Sequence, residues 1–203
     1  MVKKKVSIKP GPMLYPLPVV MVTVGDMKEN NIITIAWTGI INTDPPMTYI
    51  SVKKSRYSHD IISKNKEFVI NLTTGDTVKA TDYAGVKSGK DVDKFKEMNL
   101  TPISADKVKV PMIKEAPINL ECKVFEIKEL PSHDMFLAEI VAVHIDGDLI
   151  DENGKYCFED AGLIAFNHGA YYRLSSKKIG GFGYSIMKKK TKKKLAKNKK
   201  NPS

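Results

Sequence analysis

Cysteine, tryptophan and histidine are all scarce: the 203 residues include two Cys, one Trp and four His. Cys122 and Cys157 have no neighbouring thiol, and no apolar leader precedes them. That is the pattern of a thiol-reduced, cytoplasmic protein and not of a secreted disulfide framework. No two histidines have metal-ligand spacing, so no metal is assigned. No apolar run approaches the roughly 20 residues that span a bilayer, and no membrane partner is expected. The chain also lacks G-x-G-x-x-G after a strand, G-x-x-x-x-G-K-[ST] and G-x-S-x-G. A bound nucleotide would therefore sit without either usual phosphate cradle. Glu121 and Glu139 lie inside strand patterns, where carboxylates alternating with apolar residues are expected to face solvent. Side chains alone do not point to an enzyme; any chemistry of such a chain would come from a bound cofactor.

What is present is a soluble composition, 42% hydrophobic and 28% charged, with a net charge of +10. That charge is concentrated at the ends. Nine lysines and no acid lie between Ile186 and Ser203, and four lysines and no acid between Met1 and Lys9. Removing those 13 leaves 20 basic against 23 acidic residues, so the intervening body carries about −3. The chain divides into a basic N-terminal extension (1–9), one domain (10–185) and a low-complexity, disordered lysine-rich tail (186–203). The tail is read as solvated, binding nucleic acid only nonspecifically and in a salt-dependent way.

The body is mainly β. PVVMVTV, IITIAW, MTYISV, EFVINL, INLECKVFEI and DMFLAEIVAVHI are short runs rich in β-branched and aromatic residues, bounded by turn formers. In EFVINL, Phe68, Ile70 and Leu72 share one face and Asn71 takes the other; Ser51 and Lys53 likewise oppose Ile50 and Val52. Helices are expected from near Ser58, Thr74 and Asp91, each opened by a side-chain oxygen able to cap free amides, with Gly85 and Gly89 as punctuation. Six or so strands with peripheral helices and no strand–helix alternation predict a closed or nearly closed barrel.

Candidate chemistry concentrates between Asn31 and His59. Lys53, Lys54, Ser55, Arg56 and Ser58 lead straight into a helix start, where free amides and a guanidinium fork suit a phosphate dianion; a capped surface helix with scattered charge is the alternative. Trp37, followed by Thr38 and Gly39, is either a flat wall for a planar ligand or a core ring. Ser88, Gly89 and Lys90 form a loop that permits close approach of a ligand. His133 precedes a long strand, and a later strand delivers Phe166, Asn167 and His168 to a glycine turn.

The blocks PGPMLYPLPVVMVTVG, NIITIAWTG, DPPMTYISVKKSRYS, EFVINLTT, GVKSGKDVDKF, NLECKVFEI, SHDMFLAEIVAVHID and IAFNHGAYY occur in one order across residues 10–174. Together they resemble the flavoredoxin branch of the flavin reductase-like, FMN-binding split-barrel family. The resemblance implies a Greek-key split β-barrel of about six strands and a homodimer with one FMN per subunit near its interface. It also implies a flavoprotein oxidoreductase passing electrons from NADH or NADPH to a flavin, metal or protein acceptor, or else a carrier with tightly bound FMN. Asn31, Trp37, Ser58, Lys90, His133 and Phe166 then fall where relatives contact the flavin, with Thr38 beside Trp37 and Ser88 beside Lys90. Ser51, Val52 and Lys53 add strand contacts, Ser55 and Arg56 the phosphate end, and Asn71 and His168 the cavity lining. Lys90 and His133 would tune the flavin. Ser58 replaces a threonine common in relatives, which keeps the hydroxyl.

Overall fold

The structure is a computed structural model that describes residues 4–188. Residues 1–3 of the basic extension and residues 189–203 of the lysine-rich tail lie outside the described residues. The chain runs β1 (Leu17–Pro18), β2 (Val20–Gly25), β3 (Asn30–Ile35), β4 (Thr38–Thr43), β5 (Pro46–Lys53), α1 (Tyr57–Asn65), β6 (Glu67–Leu72), α2 (Val78–Val86) and α3 (Lys94–Glu97). It continues through β7 (Pro102–Ile103), β8 (Met112–Ile113), β9 (Ile118–Glu129), β10 (His133–Ile145), β11 (Ile164–Asn167) and β12 (Ala170–Arg173). All six predicted strands form.

Seven strands make one antiparallel sheet in the order β3-β2-β6-β9-β10-β5-β4. Its two edge strands, β3 and β4, are consecutive in sequence and joined by Ala36 and Trp37 alone. So short a link forces the sheet to roll until its edges meet, as a split barrel requires. The Ser51 amide donates to the Trp37 carbonyl at 2.9 Å, which carries the β4–β5 ladder one residue past β4 into this link. Toward Asn31 the seam opens.

The interior follows from alternation. Val20, Val22 and Val24 of β2, Phe68 and Ile70 of β6, Ile50 and Val52 of β5 and Phe136 of β10 fill the barrel. Each such side chain, removed from water, contributes on the order of 1.5–3 kcal/mol. Met21 and Ile32 face outward against Ala80 and Ala84 of α2 and Phe95 of α3, and Val69 faces Val108, Val110 and Met112. The strands β2 and β6 are thus covered on both sides, and β2 accordingly reads as a nearly unbroken apolar run.

That double cover corrects the expectation that Asn71 has a free polar face. Asn71 is fully buried. Its amide donates to the Met21 carbonyl (3.0 Å), and its carbonyl oxygen accepts from the Ile113 amide (2.9 Å) and from Asn119 Nδ2 (2.8 Å). Helix starts also shift. Ser58 is not a cap: α1 begins at Tyr57, and Ser58 is buried in its first turn. Thr74 spends its hydroxyl on the amides of Asp76 (3.2 Å) and Thr77 (3.3 Å), a turn that delays α2 to Val78. Asp93, not Asp91, caps α3, accepting from the Lys96 amide at 3.2 Å. Gly85 lies within α2, packed against Thr34, where an added Cβ would come within 3.2 Å of the Thr34 Cβ.

Candidate functional site

The open part of the seam is a two-part groove. One part, a cavity of about 310 Å³, lies between Asn31 and Ile33 of β3, the Lys53–Ser58 turn, and the loop after α2. Its lining holds Lys53, Arg56, Lys87 and Lys94 and no carboxylate. Asn31 Nδ2 donates to Ser58 Oγ at 2.8 Å, tying β3 to α1 across the floor. Ser88 Oγ accepts from the Lys90 amide at 3.2 Å and shapes the loop. Gly89 is required there, because a Cβ at this position would lie 2.2 Å from Asn31 Oδ1.

Lys94 is the chief residue that sequence reading missed. It is only 4% exposed, and its Nζ donates to the Ile32 carbonyl (2.6 Å) and the Ala84 carbonyl (2.8 Å). Both acceptors are neutral and an ammonium carries three donors, so one N–H remains for the cavity. Burial, with the Arg56 charge nearby, pushes its pKa down to about 8. A buried cation without a counter-charge is unfavourable, and an anion in this cavity would offset it. No composition signal singles out one lysine among so many. The one local cue is its place beside Phe95 in a one-turn helix.

The second part, about 190 Å³, runs along Ile33–Trp37 and is closed by Ser51, Lys53, Arg56 and His133. Trp37 is 41% exposed, so the core alternative fails. Its indole lies against the His133 imidazole with centroids 4.7 Å apart at 40°. Burial, then the charges of Lys53 and Arg56, lower the His133 pKa against the pull of Asp134, so the ring is uncharged at neutral pH. A dense cationic end and a flat, mixed-polarity end, sharing Lys53 and Arg56, suit a planar group that carries a phosphate.

The structure brings nine of the predicted residues to this groove: Asn31, Lys53, Ser55, Arg56, Ser58 and Ser88 at the cationic end, and Trp37, Ser51 and His133 at the flat end, with Lys53 and Arg56 reaching both. It leaves six outside. Val52 is a core residue, Thr38 donates to the Tyr49 carbonyl at 2.5 Å within the strand pair, and Asn71 belongs to the internal network described above. Lys90 lines a different and larger cleft beyond Gly89, among Asp26, Glu29, Asp91 and Asp93. Phe166 and His168 pack with Tyr15 at 6.4 and 5.6 Å on the β11–β12 hairpin. That hairpin turns at His168 and Gly169, both with positive φ, and neither residue lines the groove.

Glu121 departs further from expectation, because it is fully buried. Oε1 accepts from the Asp106 amide (2.8 Å) and His144 Nε2 (2.6 Å), and Oε2 from the amides of Lys107 (2.6 Å) and Val108 (2.9 Å). Asp106, Glu121 and His144 bring their ligating atoms within 4.8 Å of one another, but the Glu121 oxygens already have protein donors. The carboxylate folds the 106–108 loop onto β9. Burial raises its pKa, yet the three amides and His144 together outweigh burial and hold it below the ordinary value.

The fold that frames this groove is shared with solved structures. Flavoredoxin of Desulfovibrio vulgaris (Miyazaki F) superposes with a TM-score of 0.82 at 28% identity, covering 90% of this chain and 100% of that one. Flavoredoxin from Methanosarcina acetivorans gives 0.81 at 29%, covering 91% and 100%. An NADH-dependent FAD reductase of Streptomyces globisporus is 25% identical over 128 residues, 63% of this chain and 69% of that protein. The sequence profile of the flavin reductase like domain matches residues 13–173. The chain belongs to the flavin reductase-like family, on its flavoredoxin branch.

Proposed function

We propose that this flavoprotein oxidoreductase holds FMN along the seam, with the phosphate at the cationic end and the ring beside Trp37. It then passes electrons from NADH or NADPH to a flavin, metal or protein acceptor. The observation that carries the reading is the acid-free cluster of Lys53, Arg56, Lys87 and Lys94 joined to a slot walled by Trp37 and His133. When bound, FMN supplies the electron-transfer chemistry. This chain's residues bind and orient it. Lys94 and Arg56 hold the dianion, while Asn31 and Ser58 present a fixed amide–hydroxyl pair on the floor. Lys53 and Arg56, which reach the flat end, supply the positive charge that favours a reduced, anionic ring there, a role the neutral His133 leaves to them.

On this reading a second copy covers the outer sheet, where Ile40, Ile41, Phe125 and Val143 of β4, β9 and β10 expose apolar side chains. Among the described residues no helix is long and apolar enough to cross a membrane, and both cysteines are free, as a reducing cytoplasm would leave them. The likeness to two flavoredoxins also supports a second reading, a carrier with tightly bound FMN and no nicotinamide activity. Anaerobic mixing of the FMN-loaded protein with NADH and NADPH separates the two. Loss of the flavin absorbance near ~450 nm with either donor is expected. Failure with both leaves the carrier, and failure to take up FMN at all removes both readings.

A further inference from the structure

Behind the groove, the residues next to two of its walls are joined to each other. Ser58, on the cationic floor, is followed by His59; His133, against Trp37, is followed by Asp134. His59 Nε2 and Asp134 Oδ2 are 2.7 Å apart, and both side chains are largely buried, 13% and 7% exposed. The pair therefore bolts the first turn of α1 to the first residues of β10, two elements otherwise separated by 75 positions in sequence. Phe136 of β10 meets the His59 ring edge-on at 5.4 Å, which fixes the plane of the imidazole. Lys54 pairs with Asp134 Oδ1 at 3.2 Å and also reaches Glu129 at 3.5 Å. Exposed Asp60 sits 3.1 Å from His59 Nδ1. His59 thus makes the shortest contact to Asp134, 2.7 Å against 3.2 Å for the Lys54 ion pair.

We propose that His59 is a positioning residue for the flavin groove: through its hydrogen bond to Asp134 it sets the spacing between Ser58 and the His133–Trp37 stack, and so the distance between the two ends of the site. This rests on the FMN reading above. The physical ground is that the two ends of the groove belong to different elements, and that α1 makes no backbone hydrogen bond to β10. A buried, short, charge-assisted bond is the stiffest link between them. Its loss lets α1 tilt against β10, and a groove that must grip both ends of one ligand is sensitive to shifts well below 1 Å.

The sole tryptophan provides the test, because Trp37 emission reports its stack on His133 directly. In His59→Ala, flavin-free emission should change in intensity or wavelength as the Trp37–His133 contact loosens, and the FMN dissociation constant should rise about tenfold. In His59→Gln, whose amide nitrogen can still reach Asp134, both should return to within about twofold of wild type. A purely structural role would lower the melting temperature and leave both unmoved. Wild-type emission or wild-type affinity in folded His59→Ala overturns the proposal, and so does failure of the Gln variant to restore them. If His59→Ala does not fold, His59→Asn, too short to reach Asp134, is read by the same two measures. Emission is taken on flavin-free protein, so it decides the clasp even where wild type takes up no FMN, a result that would sink the cofactor reading instead.

Discussion

Two buried polar regions of the molecule are built alike and end differently. Around Glu121, a carboxylate buried in the sheet meets four protein donors, so its hydrogen-bonding capacity is met by the chain. Around Lys94, an ammonium just as deeply buried meets two neutral carbonyls, faces Arg56 and has no carboxylate partner in its cavity. The first region is complete as folded; the second leaves a buried cation with no counter-charge in its cavity. Burial of charge therefore does not mark function here. The two sites differ in counter-charge, and changes at each should separate stability from binding.

The largest effect is expected at the satisfied site. Glu121→Ala strands three amides and His144 and should cost about 3–5 kcal/mol, the scale of breaking one side of a buried pair. A thermal melt should register it as a drop on the order of 10 °C, while the folded fraction binds FMN with wild-type affinity. The pH dependence has a definite sign. The folded-state pKa lies below the ordinary value of 4.5, so this stabilisation is complete above that pH and is lost as pH falls through the folded value. Glu121→Gln should flatten that acid limb; an unchanged acid limb would mean the loop is held by something else.

At the unsatisfied site the pattern inverts. Lys94→Met removes a buried cation but also strands the Ile32 and Ala84 carbonyls; the two effects oppose, so the flavin-free protein should melt within about 2–4 °C of wild type, while FMN should bind more weakly by about 1.5–3 kcal/mol. The folded-state pKa of Lys94, about 8, lies below its ordinary 10.5. The penalty for holding it charged is therefore present below about pH 8 and disappears as pH rises from there toward 10.5. Stability of the flavin-free protein should rise across that window while FMN affinity falls, because the phosphate needs the ammonium. Titrations of the two quantities that move together would contradict this assignment.

A smaller effect is expected where the cavity depends on close approach. Gly89→Ala places a methyl against Asn31 and must displace either the loop or the Asn31–Ser58 contact. With one neutral hydrogen bond disturbed, FMN affinity should fall by about 1 kcal/mol, near fivefold, as measured by fluorescence quenching. The melting temperature should move little, since the loop is exposed on its other side.

How much of this was legible in sequence depended on whether a residue's role was local. Strands were, because alternation and β-branching are properties of a few adjacent residues, and all six predicted runs pair as strands. The hydroxyl–guanidinium turn at Ser55–Ser58 was legible for the same reason, and it does line the groove. Asn71, Glu121 and Lys94 were misjudged or missed because their surroundings come from elsewhere: a second layer over β6 and β9, and α3 laid across the edge of β3. Alternation shows that a strand has two faces but not that both are covered. Helix starts slipped by a few residues wherever a hydroxyl had a better partner than the first turn, as at Ser58 and Thr74.

Lys90 gives the sharpest comparison with Lys94, four residues away in the same loop-to-helix segment and identical in charge. Both the glycine-bearing loop and the family blocks pointed to Lys90, the lysine directly after the glycine. The structure places it on the cleft beyond Gly89, whose lining mixes Asp26, Glu29, Asp91 and Asp93 with Lys28 and Lys64, and where its exposed charge is screened by water. Charge alone would make the two lysines equivalent toward a dianion about a Debye length away. Burial and a free N–H at the cavity favour Lys94 over Lys90 as the phosphate's partner on the proposed reading. Lys90→Ala should therefore change FMN affinity by less than about twofold, within the scatter of surface charge effects, and Lys94→Met by tenfold or more, roughly the equivalent of the loss given above. Equal losses from the two variants would show that the groove attracts its anion by net field alone, and the distinction between satisfied and unsatisfied burial would lose its meaning for this protein.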